Sequence, residues 1–143
     1  MSVRRRAREI ALQVLYQLDI DSGDHQKALE LYWDHFRPSA QAREFCARLL
    51  QGVADYQGLI DPLIEENSEN WTLKRMAVVD RNILRLAVFE LLYCPDIPFK
   101  ATLNEAVELG KKFGSEDSSA FINGILDKIH SLAPSAATSL EKK

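Results

Sequence analysis

Cysteine is nearly absent: Cys46 and Cys94 are the two in 143 residues. No short metal-ligand spacing links them, and each has apolar neighbours. That excludes a disulfide framework and predicts two reduced, buried thiols in a cytoplasmic protein. Glycine and proline are scarce too, at six and five residues, and no stretch alternates at the period of a strand. "GKKFG" (Gly110–Gly114) lacks both the phosphate-loop spacing and a preceding strand. The histidines His25, His35 and His130 are scattered, and none lies beside a cysteine or a paired carboxylate. The acidic pairs Glu65-Glu66 and Glu116-Asp117 read as helix-end residues. No catalytic or metal-ligating set emerges, so the expectation is a non-enzymatic protein without cofactor or metal. No apolar run can span a membrane, and no h-region follows the first arginines, which excludes a signal peptide.

What is present is helical periodicity. Ala7, Ile10, Ala11, Val14, Leu15 and Leu18 form one apolar stripe that stops at Asp21-Ser22-Gly23. A short helix is predicted over Asp24–Phe36, broken by Arg37-Pro38. The next begins at Pro38 or Ser39 and runs to about Gln57, with a further turn or two after Pro62. "EENSENWT" (Glu65–Thr72) reads as a polar connection.

Val78–Cys94 is apolar on two sides, through Ile83, Leu84, Ala87, Val88, Leu91 and Leu92 on one and Leu86, Phe89 and Tyr93 on the other. Such a helix is central, packed on more than one neighbour. Thr102–Phe113 forms a helix closed by Gly114, and Asp117 or Ser118 starts the last one, with Ile122, Ile125, Leu126 and Ile129 inward. The expected fold is all-α: about seven helices in two small bundles sharing that central helix. The domain is expected over 1–132, with subdomains of about 3–68 and 72–132, and 133–143 as a flexible tail.

The net charge is −3, yet Arg4, Arg5, Arg6 and Arg8 crowd one end; without them 14 basic residues face 21 acidic ones. On a helical wheel Arg5, Leu12 and Tyr16 fall opposite the apolar stripe, with Arg8 nearby. Arginines in line with an aromatic that misses the core suit RNA, since guanidinium groups neutralise phosphates and planar faces stack unpaired bases. Arginine at a helix N-terminus also opposes the macrodipole, so a role in folding alone is harder to assign. Charge alone leaves open a merely solvated surface, with Glu9 pairing Arg5 or Arg6. Phe121 lies at the edge of the last helix's stripe, where pattern alone reads it as the rim of the core.

Two blocks carry a resemblance. "RRRAREIALQVLYQ" (Arg4–Gln17) and "RNILRLAVFELLYCPDIPFKATLNEAVELGKKFGSEDSSAFINGILDKI" (Arg81–Ile129) resemble the NusB family of bacterial transcription antitermination factors. The likeness runs from about Val3 to Leu132, although Asp24–Lys74 matches in helical pattern and length alone. It implies a non-catalytic protein that binds boxA RNA of nascent ribosomal RNA transcripts together with NusE, a small-subunit ribosomal protein, within the RNA polymerase antitermination complex.

By the same resemblance, Arg4, Arg5, Arg6, Arg8, Asp117, Ser118 and Phe121 form the RNA surface, with Phe121 stacking a base; Tyr16, from the wheel, is expected to add stacking to it. Asp80 and Phe99, with Arg81 and Glu90 behind them, form the NusE side. The chain departs from the family at Ser119 and Ala120, where His and Lys are common, and at Phe99, where tyrosine is usual. Rival readings are a self-associating helical module without RNA binding, including a homodimer that hides the RNA surface, and a domain fused to an RNA methyltransferase. The second is disfavoured because the chain ends at Lys143.

Overall fold

Ser2 opens the first helix: its Oγ accepts the Arg5 amide at 3.1 Å, a hydroxyl cap on amides that the helix leaves unpaired. Helix α1 then runs Val3–Ile20. Its expected stripe is the buried one, with Ala7, Ile10, Ala11 and Val14 fully enclosed. The structure is a computed structural model that describes residues 2–21, 25–69 and 71–141; the side chains of His25 and of 133–141 lie outside the described residues, as do Ser22, Gly23 and Asp24.

Helix α2, His25–Phe36, stops at Arg37, which takes a left-handed φ of 45° just ahead of Pro38. The turn closes with the Arg37 amide on the Trp33 carbonyl at 2.9 Å, a helix-ending geometry that usually falls to glycine. Ser39 caps α3, Ala40–Glu66, by accepting the Ala42 amide. This helix differs from the expectation of a break near Gln57: it is continuous, with Pro62 inside it. Proline removes one backbone bond and crowds the carbonyl four residues back. Ile60 and Ile64, both fully buried, and the Asp61 carboxylate bound by Arg85 hold the chain helical past it.

The Glu65 carboxylate accepts the Leu73 amide at 2.8 Å and so starts a 3-10 turn, Leu73–Arg75. Helices α4, Val78–Tyr93, α5, Phe99–Phe113, and α6, Ser118–Glu141, follow. Helix α5 begins three residues earlier than periodicity suggests, because the Pro98 carbonyl accepts the Ala101 and Thr102 amides. Gly114 caps α5 as expected, but in an extended conformation (φ −96°). Glycine is needed there for closeness, since a Cβ would strike the Ser118 side chain. The backbone of α6 is helical through Glu141 and so takes in most of the 133–143 segment. Among the described residues there are six α-helices, one 3-10 turn and no strand.

Helix α4 packs on α1, α3, α5 and α6, and both of its apolar sides are buried. Gly52 of α3 lets the Phe89 ring lie against the α3 backbone, where any Cβ would overlap the ring. A polar bolt crosses the same region. Arg85 donates to both oxygens of Asp61 and to Asp19, and Arg81 and Asn82 also donate to Asp19, tying α1, α3 and α4 together. Burial pushes the Asp19 carboxyl upward, but Arg81, Asn82 and Arg85 outweigh it and hold it below its ordinary value. Burial raises the Cys46 thiol to about 12 and Cys94 to about 11. Both are protonated and inert near neutrality.

Candidate nucleic-acid interface

The four clustered arginines divide into two kinds. Arg8 turns inward and is 4% exposed. Its Nε and Nη2 donate to the two Glu90 oxygens at 2.8 and 2.7 Å, and Thr102 Oγ1 donates to the same carboxylate at 3.0 Å. This pair joins α1, α4 and α5, so Arg8 leaves the solvent strip expected of it and Glu90, 2% exposed, is closed to any partner. The first corrects the wheel reading, because α1 is covered from two sides, by α3 and by α4; the second corrects the partner contact implied by the resemblance, because Arg8 and Thr102 close over Glu90.

Arg4, Arg5 and Arg6 do reach the surface region. Arg5 forms a bidentate pair with Glu105 of α5 at 3.0 and 3.1 Å, its side chain still half exposed. Arg4 contacts Asp96 at 3.4 Å and lies over the Phe45 ring, whose centroid is 5.2 Å away. Arg6 lies over Phe36 and donates to its carbonyl. Arg48 of α3 joins this face by a bidentate pair with Asp96. Its hydrogen bonds hold the Asp96 carboxyl down at about 2. No local signal in the sequence marks Arg48, since it meets Arg4 only through the packing of α3 on α1.

Farther along α1, Tyr16 is 41% exposed as expected, whereas Leu12 is 2% exposed. Leu12, Tyr16, Val79 and Phe113 surround an open apolar hollow; α4 and α5 supply the cover that a single-helix wheel cannot include. Glu9 does not pair with Arg5 or Arg6. It is buried and accepts from Lys112 Nζ at 3.0 Å, and Lys112 lies over the Phe113 ring.

The path continues to a second hollow of about 270 Å³, bordered by Trp71, Arg75, Asp80, Asp117 and Phe121. Asp117 is exposed and Phe121 half-buried. Ser118 is buried: its Oγ accepts the Ser115 amide at 2.9 Å, so it holds the turn before α6 and presents no group outward. Trp71, 49% exposed, meets Phe121 edge-on with centroids 6.3 Å apart. A tryptophan inside a polar connection was the available signal for it. Ser119 donates to the Val107 carbonyl, which commits that departure from the family pattern to α5–α6 packing.

The residues expected on the partner side do not gather. Asp80 opens α4, is 8% exposed, and has one carboxylate oxygen without a hydrogen-bond partner. Arg81 is engaged by Asp19 and by the Leu73 carbonyl. Phe99 starts α5, at the opposite end of α4 and roughly 20 Å from Asp80 by helix rise, and stacks flat on His130 at 3.7 Å. Among the described residues no three His, Cys, Asp or Glu side chains gather to hold a metal, and no helix is long and apolar enough to cross a membrane.

The NusB family model matches residues 5–131. A transcription antitermination protein NusB from Syntrophus aciditrophicus is 52% identical over 130 residues, 91% of this chain and 81% of that protein. The T. maritima NusB structure superposes with a TM-score of 0.86 at 39% identity, covering 95% of this chain and 96% of that one. A crystal structure of antitermination factors NusB and NusE in complex with dsRNA gives 0.84 at 27% identity, covering 92% and 98%. With its sequence and its helical framework both matched along almost their whole length, the chain belongs to the NusB family.

Proposed function

We propose that this chain is a non-catalytic RNA-binding adaptor in transcription antitermination. It takes up boxA RNA of nascent ribosomal RNA transcripts together with NusE and joins the RNA polymerase antitermination complex in the cytoplasm. The observation that carries this reading is the half-exposed arginine face at the start of α1, continued past Tyr16 to Asp117 and Phe121. Exposed guanidinium groups supply sequence-tolerant attraction, and exposed rings supply stacking. Arg4, Arg5, Arg6, Tyr16, Asp117 and Phe121 are the direct contacts in this proposal. Arg8, Glu90 and Ser118 serve by fixing the helices that present them.

The partner NusE would meet the side carrying Phe99, at the far end of α4 from Asp80 and Arg81. Because the rest of the chain is acidic, binding to RNA alone is weak, and a basic ribosomal protein offsets the repulsion. Fluorescence anisotropy of a labelled boxA RNA, with and without NusE over a salt series, tests this. The expected result is binding strengthened by NusE, with log K falling by about 0.7 per phosphate contact for each tenfold rise in salt. No binding under either condition overturns the proposal and leaves self-association as the remaining role.

A further inference from the structure

We infer that the corner between α2 and α3 is a phosphate-binding face that takes up RNA flanking the element held along α1. This rests on the RNA-binding reading and extends it to a new surface. Arg4, Arg5, Arg8, Arg48, Arg81 and Arg85 are each committed to a carboxylate. Among the described residues no ion pair reaches Arg6, Arg37 or Arg43, although the acidic Asp34 and Glu44 are near neighbours in sequence. The fold draws these three together. Arg6 Nη2 donates to the Phe36 carbonyl at 3.5 Å, Arg37 follows at the end of α2, and Arg43 lies at the start of α3. Arg37 and Arg43 are exposed, and Arg6 is half-buried.

Aromatic rings, not carboxylates, hold two of these guanidinium groups. Arg6 lies over the Phe36 ring, 4.8 Å from its centroid, and Arg43 over the Trp33 ring at 5.1 Å. A carboxylate occupies the N–H fork of an arginine, whereas a ring engages the face of the cation and leaves its edge free to donate. Arg6 and Arg43 are thus positioned with most of their donors unspent, and a phosphate matches that edge through paired oxygens. In a chain of net charge −3, three clustered cations that no carboxylate neutralises attract a polyanion locally. The corner adjoins the arginine face at the start of α1, because Arg6 belongs to both. That continuity favours an RNA backbone over an acidic peptide as the occupant.

Two labelled RNAs test this over a salt series with NusE present: a boxA element alone, and the same element with a short run of uridines at each end. The extended RNA is expected to show the steeper fall of log K with log salt. Arg37→Asn is combined with Arg43→Gln, since asparagine tolerates the left-handed φ of 45° at position 37. This double variant should lower the slope for the extended RNA by about 1.4, or about 0.7 for each phosphate contact, and leave the element alone unchanged. Arg37→Lys with Arg43→Lys keeps both charges and should retain the slope; circular dichroism checks the fold of each variant. Equal slopes for the two RNAs, or no change in the double variant, would overturn the corner site. Arg5→Ala still weakening the element alone would then leave the RNA-binding reading standing. An equal loss on both RNAs would place the corner inside the recognised element and overturn the extension. A glutamate-rich peptide that binds the parent but not the double variant, while the RNA slopes stay equal, would assign the corner to an acidic protein segment instead. Failure of both RNAs to bind the parent would remove the RNA-binding reading and the corner site together.

Discussion

Arg5 and Arg8 lie within one turn of the same helix, and each is clasped by a glutamate from the other side of the bundle. There the likeness ends. The Arg8–Glu90 pair is sealed, with side chains 5% and 2% exposed, while Arg5 keeps 46% of its side-chain surface beside Glu105. Desolvation makes the first pair a structural commitment: once both charges have left water, neither can be withdrawn without stranding the other. The second pair exchanges readily with solvent and is worth little to stability. A phosphate can compete for Arg5; nothing in solution can compete for Arg8. One run of arginines thus contains both a bolt and a docking surface, and exposure separates them.

Removing the bolt has the largest expected effect. Arg8→Ala leaves Glu90 buried with Thr102 as its remaining donor, and should cost about 3–5 kcal/mol, read from urea unfolding. Arg8→Met combined with Glu90→Leu removes both charges and should recover most of that loss. The folded double variant should bind boxA RNA as the parent does. If it lost RNA affinity as severely as a surface arginine variant, the division between the two arginines would break.

Arg5→Ala sharpens the other half. Stability should change by less than about 1 kcal/mol, while the slope of log K against log salt falls by about 0.7. An unchanged slope would mean that Arg5 neutralises no phosphate. The half-buried network around Asp19 makes a third test, by acid. Its carboxyl titrates lower in the folded chain than its ordinary value of 3.8. Its contribution is therefore complete above that value and is lost as pH falls through the folded one. Urea midpoints should decline with acid below about pH 4, and Asp19→Asn should flatten that decline.

The sequence made these contrasts only partly legible. The apolar period of α1 and the two-sided pattern of α4 fixed the helices, because burial of a stripe is a property of one segment. Leu12 and Arg8 were misplaced by the same wheel, since their cover comes from helices distant in sequence. Pro62 looked like a break because local geometry penalises it, yet Ile60, Ile64 and the Asp61–Arg85 pair outweigh that penalty. The candidate site was legible where residues repeat a family pattern, at Arg5, Asp117 and Phe121. It was invisible where packing assembles it, as at Arg48 beside Arg4, and marked by no more than a tryptophan in a polar connection at Trp71 against Phe121.

The smallest effect concerns the carboxylate that holds the exposed arginines. Asp96 binds Arg48 at 2.8 Å and Arg4 at 3.4 Å, and it stays ionised down to about pH 2. No working pH therefore releases these two guanidinium groups; a substitution must do it. Asp96→Asn keeps the shape and removes the charge. Since Arg4, Arg48 and Asp96 are all substantially exposed, stability should change by less than about 1 kcal/mol. RNA affinity should rise, on the order of two- to threefold at low salt, with the gain fading as salt screens it. A gain of this kind would identify the Arg4–Arg48 face as part of the RNA path and Asp96 as its built-in competitor. An unchanged affinity would confine the path to Arg5 and the α5 side of the helix.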